Sequence, residues 1–320
     1  MQEIYDAHLT LRCQISIIRD ISNKLTPRQV VLFRDTCFGA WLDIMCSEND
    51  PGYIHYILQR RCPRPRVANL IEETEELWFR VTPDYAIRFG RREFCLVTGF
   101  RFGPKTQMTD YISGDVCNKT PGFRDRVFPQ FGKSICIQHV EALFFNKETF
   151  VGSQALSDED CVRLCIIMLV ERGFMGRQPR QPIDDTLLHL LEDFSALNEY
   201  PWGSRIWELT YSQLETGLET RIVRSGMKYT MIGFIWAFKV TYVIYCIVYH
   251  ISYYIFYANL LFLRFFLLLK VWIWEAYYRQ VYDYARRVNT TGVPRSLYWR
   301  RLRKVLVWSE YLSMMRIPVS

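Results

Sequence analysis

The chain has 320 residues, 50% hydrophobic and 16% aromatic, so it can bury a sizeable core, and intrinsic disorder is excluded for most of its length. Its net charge of +7 would suit acidic partners, nucleic acid or an anionic membrane face, but it is too small to select one of them. The ten cysteines include no Cys-x-x-Cys pair and lack the regular spacing that marks a disulfide framework or a zinc site. With the acidic N-terminal residues, which predict no cleavable secretory signal, they indicate a reducing compartment.

The first predicted elements are helices. Residues 1–24 are expected to form an N-terminal helix. Thr26 is a candidate N-cap and Pro27 occupies the first helical position, which predicts a second helix that ends near Gly39. A third helix is predicted in residues 51–62, where apolar side chains share one face.

Arginine and proline then alternate in the connector of residues 60–66. This composition favours a solvated connector, and a phosphate contact is the alternative interpretation.

Residues 77–89 alternate large and polar side chains around Thr82-Pro83-Asp84, a pattern that predicts two short strands joined by a turn. This is the clearest β signal in the chain. A short helix ended by Gly99 is predicted next. Residues 103–133 are rich in Gly, Pro, Thr and Asp, and they predict an irregular surface segment.

Ser157 is predicted to cap a helix that ends at Gly173. Cys161 and Cys165 are four residues apart on it, the spacing a metal could use, but their apolar neighbours favour a core position. His189 belongs to a further predicted helix, ended by Pro201, and no nucleophile can be paired with it. The sequence therefore predicts no catalytic, cofactor-binding or metal-binding residues, and no enzyme.

An apolar segment of 24 residues without a charge runs from Val240 to Leu263. As a helix it would be about 36 Å long at ~1.5 Å per residue, enough for a hydrocarbon core of ~30 Å. Lys239 and Arg264 stand at its two ends, where they could reach the membrane surface. The main prediction is therefore a membrane-spanning helix in residues 240–263, and burial against the domain is the alternative.

The C-terminal part of the chain is basic. Aromatic residues Tyr298 and Trp299 are interleaved with the arginines at 286, 287, 295, 300, 301 and 303 and with Lys304. Such a pattern can bind nucleic acid, because the charges neutralise phosphates and the rings stack on bases. It is also typical of nuclear import signals, anionic lipid contacts and solvated helix faces.

Several fragments in order resemble one plant family: "LFRDTCFGAWLDI", "ELWFRVTPDYAIRFGRREFCLVTGFRFGP", "EYPWGSRIWELTYSQLE", and "KYTMIGFIWAFKV" followed by "VWIWEA". The family is a domain of unknown function that often precedes a ubiquitin-like-modifier cysteine protease domain, with many transposon-derived copies. The resemblance covers roughly residues 25–310 and implies no assigned chemistry. After Cys246 no cysteine follows and His250 is the last histidine, so we expect the protease domain itself to be absent.

The chain departs from that family in one place. Residues Thr241 to Val271 separate "WAFKV" from "WIWEA", and removing them gives the continuous sequence "WAFKVWIWEA". The intervening letters contain no Gly, Pro, Asp, Glu, Gln or Trp. We interpret them as a retained intron. A spliced transcript that always contains the codons between Lys239 and Trp272 would contradict this interpretation.

The predicted fold is mainly α with a small β-hairpin, a helix-dominated α+β class, plus one apolar helix long enough to span a membrane. The predicted organisation is an N-terminal helix in 1–24, the family domain in 25–239, an apolar insert in 240–271, and the rest of the domain with a basic tail in 272–320. The predicted function is a non-catalytic interaction or regulatory module located at a membrane, without a small-molecule substrate or cofactor. The alternative is a soluble nuclear module that associates with nucleic acid and whose insert is a retained intron or a core helix. The third candidate is a relative of cysteine proteases.

Overall fold

The structure is a computed structural model, and it describes residues 7–44, 49–65, 75–83, 85–104, 108–111, 122–130, 134–153, 155–217 and 226–241, with the backbone of 285–287 and 299–301. This part of the chain is a helix-dominated α+β fold with small sheets. The predicted fold class is confirmed in that respect.

The first element in the described part of the predicted N-terminal helix is a strand. Strand β1 covers His8–Leu11, and helix α1 covers Ile17–Lys24. Strand β1 pairs in parallel with strand β5, Lys228–Met231, in the register His8 to Lys228. Since the two strands lie more than 200 residues apart in the chain, no local sequence pattern predicts their pairing.

Helix α2, Pro27–Arg34, starts as predicted. Thr26 accepts a hydrogen bond from the backbone N–H of Gln29, and the Gln29 side chain accepts one from the backbone N–H of Thr26. This reciprocal capping box fixes the first turn. The helix ends at Arg34 rather than near Gly39, and a separate 3₁₀ helix covers Gly39–Asp43.

The predicted hairpin belongs to a three-stranded antiparallel sheet. Helix α3, Pro51–Leu58, leads into strand β2, Arg61–Cys62, which pairs with β3, Glu76–Thr82, and β3 pairs with β4, Tyr85–Gly90. Helix α4, Arg91–Thr98, follows directly. Gly99 ends it with a φ of 74°, a left-handed conformation that glycine adopts without steric cost.

The stretch predicted to be irregular contains short helices. A 3₁₀ turn covers Met108–Tyr111 and helix α5 covers Phe123–Val127. Helix α6, Ile137–Phe145, comes next, and a 3₁₀ turn, Lys147–Thr149, follows it.

The central helix does not end as predicted. Ser157 caps α7, Asp158–Met168, but the helix then continues as a π-helix over Leu169–Phe174, with Gly173 inside it. Beyond it, one predicted helix is replaced by α8, Asp185–Leu190, and α9, Phe194–Glu199. The longest of these helices, α10, covers Trp202–Thr216 and begins immediately after Pro201.

The core is rich in aromatic rings that come from distant parts of the chain. One group surrounds Trp41, whose ring lies 5.0 Å from that of Phe174 and 5.5 Å from that of Phe234. A second group joins the sheet to the last described helix, since the Phe238 ring lies 4.6 Å from Phe79 and 5.1 Å from Phe89. The N-terminal strand, the sheet and residues 234–238 therefore share one hydrophobic core.

The prediction of a membrane-spanning helix is wrong for the described part of the chain, in which no helix has the length and apolarity to cross a bilayer. Of the insert 240–271, only Val240 and Thr241 are described, and both are helical, as are the preceding residues 235–239. The rest of the insert lies outside the described residues. Lys239 was expected at a membrane surface, but it is 5% exposed and its Nζ lies 3.0 Å from the Asp50 carboxylate. The chain therefore enters the insert from the interior of the domain.

Candidate functional site

Burial keeps the thiols of three described cysteines protonated. Cys13, Cys161 and Cys165 are buried. Burial raises the pKa of Cys13 to about 11 and that of Cys161 to about 12, and it raises the pKa of Cys165 as well. Because the thiolate is the reactive form, these three thiols are unsuited to attack on a substrate at neutral pH. Cys161 and Cys165 lie in the core, as their apolar neighbours indicated.

The described ranges were also searched for metal-ligand groups and for cavities. No group of three or more His, Cys, Asp or Glu side chains there could hold a metal ion. An open cavity of about 240 Å³ lies between β1 and the start of α3, lined by Ala7, His8, Leu9, Pro51, Gly52 and Gly226. Among the described residues of that lining, His8 is the one titratable side chain.

The arginine-rich connector is part of the fold. Arg60 donates to the carbonyl of Val81 at 3.0 Å, and its guanidinium lies over the ring of Tyr56. Arg61 donates to the carbonyl of Glu215, and Arg64 forms an ion pair with Glu76 at 3.2 Å. These groups bond to the protein itself, which argues against the alternative that this connector contacts phosphate.

A charged cluster surrounds the π-helix. Glu171 is fully buried, and its carboxylate accepts a hydrogen bond from Arg177 at 3.0 Å. Burial raises the pKa of Glu171, although the nearby charges of Arg177 and Arg205 oppose that shift. The next residue, Arg172, forms an ion pair with Glu141 of α6 at 2.8 Å. Since each charge here has an opposite charge nearby, the cluster is a structural junction between helices.

The basic tail contains a second, separate pair of strands. Strand β6 covers Ala285–Arg287 and strand β7 covers Trp299–Arg301, and they pair antiparallel. The register sets Arg286 opposite Arg300 and Arg287 opposite Trp299. Residues 295, 298, 303 and 304, which belong to the same predicted basic segment, lie outside the described residues.

Positive charge is concentrated in this end of the chain. Residues 1–241 contain 29 Lys and Arg against 30 Asp and Glu, whereas residues 242–320 contain 11 against 3. The net charge of the protein therefore comes from the C-terminal segment, and the rest is close to neutral.

Comparison with known families supports the resemblance. Residues 69–213 match the family model of DUF1985, a domain of unknown function. The resemblance is confirmed over this range. No curated protein and no solved structure matches the chain. We call the matched residues, 69–213, the DUF1985 region. This region contains β3, β4 and helices α4 to α9, together with most of α10.

The DUF1985 region does not contain its whole core. Phe238, which packs against Phe79 and Phe89, lies beyond the matched residues, and so does strand β5. On the other side, Trp41 and helix α1 precede the match. The flanking residues complete the folded unit through contacts between segments that are distant in the chain.

Proposed function

We propose that this protein is a non-catalytic nucleic-acid-associated module. In this proposal the DUF1985 region and its flanks form a neutral scaffold, and the basic segment of residues 285–304 makes the contact with phosphates. A nuclear location would accompany such a role, and a fluorescent fusion found outside the nucleus would contradict that part of the proposal.

The register of the C-terminal strands is the observation that carries the proposal. Two like charges directly opposite each other destabilise an antiparallel pair, and a two-stranded sheet alone is marginal in water. Arg286 and Arg300 occupy directly opposite positions in such a pair. A polyanion would remove this repulsion, since each phosphate neutralises a basic group and releases a counterion.

The charge distribution supports the same proposal. The scaffold is nearly neutral, so it neither attracts nor repels nucleic acid strongly, and the excess of basic residues follows it. Concentrated positive charge raises the rate at which a polyanion encounters a protein. The neighbouring Trp299 adds an aromatic residue of the type that stacks on unpaired bases.

The test is binding of the full chain to labelled 20-nucleotide single-stranded DNA, single-stranded RNA and duplex DNA, followed by fluorescence anisotropy at several salt concentrations. The double variant Arg286→Gln/Arg300→Gln should lower the slope of log affinity against log salt by about 2, or about 1 per lost phosphate contact. The matched control is Arg92→Gln/Arg101→Gln, which removes two exposed arginines of the scaffold. Absence of binding at low salt, or equal slopes for both double variants, would refute the proposal.

A further inference from the structure

The ammonium group of Lys24 lies in a corner formed by three aromatic rings. Its Nζ is 5.2 Å from the ring centre of Phe144, 5.5 Å from that of Phe145 and 5.7 Å from that of Phe150. A cation within about 6 Å of a ring centre is attracted by the negative face of the ring. Three such contacts converge on one nitrogen, so the arrangement is more than a single cation–π pair.

The Phe144 ring stands nearly perpendicular to each of the other two rings. The rings of Phe144 and Phe145 are 5.0 Å apart at 82°, and those of Phe144 and Phe150 are 6.0 Å apart at 86°. Phe144 and Phe145 end helix α6, and Phe150 follows the next 3₁₀ turn. The short 3₁₀ connection between them brings the rings together, and we call the arrangement of Lys24 and these rings the phenylalanine corner.

The corner is open on one side. Phe144 and Phe150 are 0% and 5% exposed, whereas Phe145 is 55% exposed. Lys24 is the last residue of helix α1 and is itself half-buried. Two walls are therefore fixed by the core and the third is accessible from solvent.

We propose that the phenylalanine corner is a binding site for an alkylated ammonium group, and that Lys24 occupies it in the absence of a ligand. Aromatic walls around a cation are the arrangement that recognises quaternary ammonium groups. An alkylated ammonium is less strongly hydrated than the primary ammonium of Lys24, so it gains more from the rings and can displace the lysine. This inference concerns the scaffold and does not depend on nucleic-acid binding.

Two sources carry this chemistry: a peptide with a trimethylated lysine and a free small molecule such as choline. The test uses the full chain and ¹³C-methyl-labelled trimethyllysine in a short peptide, the unmethylated peptide, and labelled choline. Binding inside the corner should shift the methyl resonance upfield, because the methyl groups lie over ring faces. The tighter of the two labelled ligands identifies the source.

Variants separate recognition from a purely structural contact. Phe145→Leu keeps an apolar side chain but removes one ring, and it should weaken binding about 2- to 5-fold, the equivalent of ~0.5–1 kcal/mol for one cation–π contact. Lys24→Ala removes the internal occupant and should strengthen binding about 2- to 30-fold. Leu96→Ala, which truncates an exposed apolar residue on another helix, is the control and should leave binding unchanged.

The result that would overturn the proposal is the absence of an upfield shift in both the wild type and Lys24→Ala at millimolar ligand. Equal binding of the methylated and unmethylated peptides would overturn it as well, because general charge attraction does not distinguish them. Circular dichroism and the thermal midpoint of each variant confirm that the fold is retained, so loss of binding in Phe145→Leu can be assigned to the corner.

Discussion

The ion pair between Lys239 and Asp50 provides a quantitative test of how the chain enters its apolar insert. Their side chains are 7% and 13% exposed, and the Nζ–Oδ2 distance is 3.0 Å. Removing one partner of a buried pair leaves the other charge buried and uncompensated, which costs about 3–5 kcal/mol. We therefore expect Lys239→Met to lower the free energy of unfolding by about 3 kcal/mol or more.

The chain offers a matched control on its surface. Arg34 and Asp43 form a two-point ion pair with distances of 2.7 and 3.0 Å, but their side chains are 47% and 42% exposed. Solvent screens such a pair, so Arg34→Gln should cost no more than about 1 kcal/mol. Both changes remove a single positive charge, and burial is the main difference between them.

The assay is urea unfolding of each variant, followed by tryptophan fluorescence. The double variant Asp50→Asn/Lys239→Met completes a thermodynamic cycle, and asparagine tolerates the left-handed conformation that Asp50 adopts with a φ of 48°. We expect the double variant to be more stable than Lys239→Met, because it no longer buries a carboxylate that has lost its Lys239 counterion. If Lys239→Met costs no more than Arg34→Gln, Lys239 lies in water or at an interface, and the buried entry into the insert is refuted.

Two buried carboxyl groups should give opposite pH dependences. Burial raises the pKa of Glu171 above its ordinary 4.5, so the wild type should lose stability relative to Glu171→Gln as the pH rises from 4.5 through the folded value. At Asp160, burial alone would raise the pKa, but Arg126 and Arg163 outweigh that effect and lower the pKa below 3.8. The stability advantage of the wild type over Asp160→Asn should therefore be lost as the pH falls from 3.8 through the folded pKa. Unfolding free energies of the wild type and both variants, measured across the acidic pH range, check these two directions. If the Glu171→Gln and Asp160→Asn differences from wild type changed with pH in the same direction, the opposite pKa shifts would be contradicted. Thiol alkylation at pH 8, mapped by mass spectrometry, should leave Cys13 and Cys161 unmodified until the chain is unfolded, because burial disfavours their thiolates. Rapid alkylation of either cysteine in the folded protein would show that its thiol is not buried. A fragment of residues 69–213 should lack a cooperative thermal transition, because its core packs against flanking segments; a cooperative transition like that of the full chain would disprove this dependence.

The candidate nucleic-acid contact was visible in the sequence as basic residues interleaved with aromatic ones, but the pairing of Arg286 with Arg300 was not. Charge composition is local and can be counted, whereas strand register depends on how two segments meet. The phenylalanine corner gave no sequence signal either, because Lys24 and the rings of Phe144 and Phe150 are more than 100 residues apart in the chain.

The sequence by itself determined the features that depend on neighbouring residues. The Thr26 cap, the hairpin in residues 77–89 and the Gly99 helix end follow from side-chain hydrogen bonds, alternation and backbone freedom within a few positions. Only the tertiary structure decided the pairing of strand β1 with strand β5 and the burial of Lys239, because both need a partner brought from far along the chain. An apolar run has the same composition whether it faces lipid or a protein core, and the contact of Lys239 with Asp50 is what places the start of this run inside the domain.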